Sequence, residues 1–127
     1  MDDSEDSAGR NRRETPVSVT IGRAARALVA PVQEKLGVWQ SEAVKLDVMV
    51  QRNKAAGRHD PHVTEATRAL LRVIGMQSQL LDTALADASP AVRAHGRVAD
   101  VRRVLALLVE RVGKTLADLG EPADKVR

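Results

Sequence analysis

The sequence contains no cysteine, phenylalanine or tyrosine, and Trp39 is its one aromatic residue. Without cysteine there is no disulfide framework, no thiol chemistry and no thiolate-bound zinc. The apolar residues are nearly all Ala, Val and Leu. So little bulk fills a wide globular interior poorly and suits helices packed side by side and association between chains. No run of 18 apolar residues occurs, and the opening MDDSEDS is acidic. A membrane span and a secretory leader are therefore not expected, and the expected location is cytoplasmic. There is no glycine-rich phosphate loop, no nucleophile elbow, and no acid cluster beyond Asp2, Asp3, Glu5 and Asp6. Neither an enzyme nor a cofactor is expected. His59 and His62, with Glu65 beyond, lack the further ligands of a metal site and read as a solvated turn, and His95 has no identifiable carboxylate partner.

What is present bounds the rest. A chain of 127 residues, 43% hydrophobic, makes one modest domain or two very small ones. Its net charge of +3 hides a segregation: residues 1–9 carry −4, residues 10–63 carry +5, and residues 64–127 carry +2. A basic stretch beside a compact motif is the electrostatic footprint of a nucleic-acid binder, although Arg-rich surface helices give the same total.

Residues 1–14 have no apolar periodicity and read as a disordered tail, acidic and then basic. In VSVTI, Val17, Val19 and Ile21 alternate with Pro16, Ser18 and Thr20, the period of a strand. From Gly22 the period becomes helical: Ala25, Val29, Val32 and Leu36 share one side, and the helix is expected to stop at Gly37. Pro31 conflicts with that helix. A second helix over about 40–56 would bury Ala43, Val44 and Val48 and end before Gly57.

Strand, helix and helix in this order resemble the ribbon-helix-helix DNA-binding proteins of the Arc and Met repressor class. The resemblance lies in VSVTI, in the helix ending EKLG, and in LGVWQSEAV. That last segment is similar to the family's Gly-Val-Ser-x-Ser-Glu-Ala-Ile turn, with Trp39 where the family commonly has Ser. The resemblance implies a homodimer, or a tetramer built from dimers, in which two chains share an antiparallel ribbon that enters the major groove of double-stranded DNA. Pro16, Ser18 and Thr20 would then face the bases. Arg10, Arg12, Arg13 and Arg23, with backbone amides near Gln40 and Ser41, would meet the phosphates. Val17, Val19, Ile21, Val29, Val32, Leu36, Val44 and Val48 would form the dimer core.

The second half reads as a long helical hairpin. Asp60 and Pro61 start a helix of about 27 residues whose seam is Val63, Ala66, Leu70, Val73, Leu80 and Ala84, with Gln77 in the seam and Leu71, Ile74, Leu81 and Leu85 widening it. Ser89 and Pro90 start another of about 30 residues, with Val98, Val101, Leu105, Leu108, Val112 and Leu119 inside and Gly120 at its end. The expected fold is thus mostly α: a ribbon-helix-helix domain over 15–57, a helical hairpin over 58–120 for oligomerisation and partner binding, and a disordered 121–127. The apolar faces of the hairpin are wider than one partner needs.

Three functions fit this reading. The first is an accessory protein of plasmid mobilisation or conjugation, binding DNA in a relaxosome and engaging a relaxase or coupling protein through the C-terminal helices. The second is a transcriptional repressor or antitoxin with the same domain. The third is a helical scaffold or adaptor that never touches nucleic acid.

Overall fold

Gly22, Ala25, Val29, Val32, Leu36, Trp39, Ala43, Leu46 and Val50 recur at alternating spacings of four and three, and the pattern does not change phase at Gly37. Such a repeat is the inner stripe of one helix. In the computed structural model, which describes residues 16–120, it is the buried face of α1 (Pro16–Ala55), a helix of 40 residues and about 60 Å. All of these side chains are buried except Trp39, which is half-buried against the core.

The ribbon-helix-helix expectation therefore fails. No strand occurs among the described residues, and Val17, Val19 and Ile21 lie in the first turns of α1. Two physical reasons decide it. A strand here depends on a second chain to satisfy its amides and carbonyls, whereas a helix satisfies them internally. The alternation of VSVTI also spans only five residues, against a seam that spans residues 22–50. Gly37 costs a helix interior about 1 kcal/mol, which burial of the flanking Leu36 outweighs. Pro31 is also inside α1. It is exposed, as is Ala27, whose carbonyl loses its donor and can turn to water instead.

The real stop is Gly57, at φ +68°. Its amide donates to the Lys54 carbonyl at 3.2 Å and the Arg58 amide donates to the Asn53 carbonyl at 2.9 Å, the paired bonds that close a helix through a left-handed glycine. Asp60 then caps α2 (Pro61–Ala86), its carboxylate accepting from the His62 amide at 2.9 Å. Where one helix of about 30 residues is expected, the chain makes a single turn, α3 (Pro90–Arg93), and then α4 (Gly96–Asp118). His95 separates them in extended conformation, with its Nδ1 accepting from the Arg97 amide at 3.2 Å.

The helices run up, down and up. Asp82 meets Arg102 and Arg68 reaches the Leu119 carbonyl, so α2 and α4 are antiparallel. Gly22 lies beside His95 and Gln51 beside Asp118, so α1 and α4 are parallel. One hydrophobic cluster draws on all three long helices, centred on Val29, Leu71, Leu85, Val98 and Leu105. The described residues on either side of residue 57 share it.

Candidate functional site

Residues 69–81 of α2 read ALLRVIGMQSQLL, thirteen positions with one charge, at Arg72. A helix this apolar has enough hydrophobic surface for two faces, and the bundle covers one. The inner face is Thr67, Leu71, Ile74, Ser78 and Leu85, spaced by four and three, with Leu81 half-buried beside them. Its polar members are satisfied locally: the Thr67 hydroxyl donates to the Val63 carbonyl at 2.8 Å, and the Ser78 hydroxyl to the Ile74 carbonyl at 2.7 Å.

The seam expected to pack inward, Val63, Ala66, Leu70, Val73, Leu80 and Ala84, lies instead on the outside. The two seams run in parallel around the helix, so turning one toward α1 and α4 turns the other toward solvent. Val63 is 40% exposed, Leu70 and Val73 49%, Met76 53% and Leu80 58%. With the exposed Ala66, Ala69 and Ala84 between them, they form a stripe on the order of 400 Å², the size at which a patch commonly marks an association surface. Gln77 is its one uncharged polar interruption before Thr83.

Two other surfaces are more polar than this stripe. Val44 of α1 and Leu107 of α4 are exposed on either side of a shallow groove, but Asp47, Glu110, Arg111 and Lys114 line it too. Within the groove Asp47 accepts from the Thr115 hydroxyl at 3.1 Å and lies 3.9 Å from Arg111. At the α1–α2 turn a cleft of about 490 Å³ is lined by Lys54, Arg58, His59, Asp60 and Asp118. Its polar groups serve one another: Lys54 is 3.7 Å from Asp118, Arg58 Nε donates to Asn53 Oδ1 at 3.3 Å, and Asp60 caps α2. Among the described residues no three His, Asp or Glu side chains gather as metal ligands. No helix among them is long and apolar enough to cross a membrane.

The residues assigned to DNA contact and to the dimer core do not form one site. Arg10, Arg12 and Arg13 lie outside the described residues. Pro16, Ser18 and Thr20 are exposed on the first turns of α1, where the Thr20 hydroxyl donates back to the Pro16 carbonyl at 2.8 Å. Ser18 is turned away from the face of Pro16 and Thr20, which strand alternation would have it share, because a helix turns about 100° per residue. Arg23 is exposed one turn further on. Gln40 and Ser41 lie in the interior of α1, so their backbone amides are not the free donors of a helix start. Of the expected dimer core, Val29, Val32 and Leu36 are buried within the chain itself, Ile21 is half-buried, and Val17, Val19, Val44 and Val48 are exposed.

An ion pair joins α2 to α4 on the side of α2 away from the stripe. Arg102 donates from Nε to Asp82 Oδ1 at 2.7 Å and from Nη2 to Oδ2 at 3.4 Å. The hydrogen bond to Asp82, and then its charge, raise the Arg102 pKa above its ordinary value. The outer face was written in the sequence as a second phase of the same repeat, and what hid it was the assumption that the stronger seam packs inward. Compared with known proteins, the chain matches no protein-family model, no curated protein and no solved structure.

Proposed function

We propose that this chain is a non-catalytic helical association module that joins protein chains through the outer face of α2. The observation that carries this reading is the uncharged apolar stripe from Val63 to Leu80, left open on a helix whose opposite face is fully packed. The reading is that of a helical scaffold or adaptor. Diluted to its monomeric state, the protein should bind an apolar fluorescent dye, and Val73→Lys and Leu80→Lys should each remove most of that binding while leaving the helical circular dichroism unchanged. Dye binding equal in parent and variants contradicts the reading.

A second reading has its own observation. From residue 10 to residue 26 the chain carries Arg10, Arg12, Arg13, Arg23 and Arg26 against one acid, Glu14, and Arg23 and Arg26 are exposed on α1. That concentration of charge supports electrostatic binding of double-stranded DNA without a ribbon, as an accessory of plasmid mobilisation whose helices engage a relaxase or coupling protein, or as a repressor or antitoxin. Gel shift of random duplex over a range of salt tests it. Binding that weakens steeply with salt, and less steeply in Arg23→Ala, is expected, and no shift at low salt contradicts it.

A further inference from the structure

We propose that the end of the bundle where α1 and α4 begin is a docking surface for double-stranded DNA, formed by Arg26, Arg97 and His95; this rests on the reading that the chain binds duplex by charge. Sequence concentrates that charge. Residues 16–33 carry Arg23 and Arg26 and no acid, and residues 87–99 carry Arg93 and Arg97 against Asp87 alone. Further along α4, Arg102 and Arg103 are paired with Asp82 and Asp100. No carboxylate among the described residues pairs with Arg23, Arg26 or Arg97. Their charge is left to an outside partner.

The fold sets two of these arginines on facing helices. Arg26 lies two heptads before Gln40 on α1, and Arg97 lies one heptad before Val104 on α4. Residues seven apart lie close to one side of a helix, and Gln40 and Val104 line the groove between α1 and α4, so Arg26 and Arg97 stand along its two rims. Because these helices are parallel, both arginines are at the same end. His95 joins them. Its Nδ1 accepts from the Arg97 amide at 3.2 Å, which leaves the proton of the neutral ring on Nε2. A methyl group added at Gly22 would stand 3.9 Å from that Nε2 and 3.5 Å from Arg26 Nη1, so the two donors approach each other over a residue with no side chain. Guanidinium and imidazole N–H groups gathered in this way suit phosphate oxygens, which accept from several donors at once.

The surroundings narrow the partner. Binding of single strands takes aromatic platforms, and the one aromatic residue, Trp39, is half-buried in the middle of α1. A lipid surface takes a wide apolar face beside the charge, and here the exposed large hydrophobics near Arg23 are Val17 and Val19. A duplex asks for phosphate donors alone.

Fluorescence anisotropy of labelled random duplex with the full chain, over a range of salt, tests this. The parent should bind at low salt. Arg26→Ala and Arg97→Ala should each lower affinity roughly fivefold to tenfold near about 0.1 M salt, and flatten the slope of log affinity against log salt by about one unit. Arg52→Ala removes the same charge from the last turn of α1, about 39 Å along the helix from Arg26, and should change neither quantity. All three arginines are exposed, and unchanged helical circular dichroism shows that each variant folds. Equal losses for Arg52→Ala and Arg97→Ala overturn the surface and leave binding by net charge standing, and so does an Arg97→Ala that binds as the parent does. Duplex left unbound even at low salt removes both the surface and the reading it rests on. If vesicles of anionic phospholipid are bound and duplex is not, DNA is overturned as the partner.

Discussion

Gly75 on α2 lies so close to Val112 on α4 that a methyl group added at Gly75 would stand 3.3 Å from Val112 Cγ1. Val112 is buried and β-branched, so it has one favoured rotamer in a helix and little room to withdraw. Replacing a mid-helix glycine by alanine ordinarily gains about 0.5–1 kcal/mol. Gly75→Ala should show none of that gain. In its presence Val112→Ala should cost less than in the parent, because each change fills or empties the same space. Chemical denaturation of the four proteins at one concentration measures this. A full gain for Gly75→Ala would mean that α2 and α4 are further apart than described.

Gly37 and Gly57 should respond to alanine with opposite sign. Gly37 lies inside α1, and a methyl there meets nothing within 4 Å, so Gly37→Ala should stabilise by about 0.5–1 kcal/mol. Gly57 holds φ +68° at the end of the same helix, where alanine is strained, so Gly57→Ala should destabilise by about 1 kcal/mol. If the chain turned at Gly37, both substitutions would destabilise.

Pro31 is the proline in the interior of α1, where its backbone cannot donate to the helical ladder. Pro31→Ala restores the missing donor to the Ala27 carbonyl and should stabilise the protein by about 1–3 kcal/mol, at or below the full penalty because Ala27 is exposed and its carbonyl has access to water. A loss of stability on substitution would show that α1 needs its proline, as a helix bent to fit the core does.

Gln77 sits among the apolar residues of the α2 outer face and is exposed. Gln77→Leu should raise the binding of an apolar fluorescent dye by adding apolar area to that face, and Gln77→Lys should lower it. Dye fluorescence of the two variants at matched helical circular dichroism reports both effects, and binding that does not respond to residue 77 contradicts the placement of the stripe.

Much of this fold was legible in the sequence, and what was not has a physical cause. Asp60 with Pro61, Gly57, Gly120 and the seam from Val98 to Leu119 mark helix ends and a buried face by local chemistry, and the structure has them. VSVTI misled because β-branched residues alternating over five positions read as a strand at short range, while the choice between strand and helix was made by the seam to Val50, which five residues do not sample. Gly37 misled for a related reason: glycine stops a helix when it closes the chain at φ > 0, and a continuous apolar repeat through it overrides that use. On α2 the spacing was right and the facing was not, since two adjacent seams of equal period cannot be ranked until their neighbours are known. The candidate surface was legible only as hydrophobic excess.

All of the placement on α2 follows from α1 being one straight-through helix that, with α4, covers one seam and leaves the other open. Distance between spin labels at Ala24 and Arg52, both exposed on α1, measures this directly when doubly labelled chain is diluted into excess unlabelled protein. Twenty-eight residues of unbroken helix place the two backbones about 42 Å apart, and a single narrow distribution near that value is the expected result. A distribution centred below about 30 Å, the separation left when a helix folds back on itself near Gly37, would contradict the account.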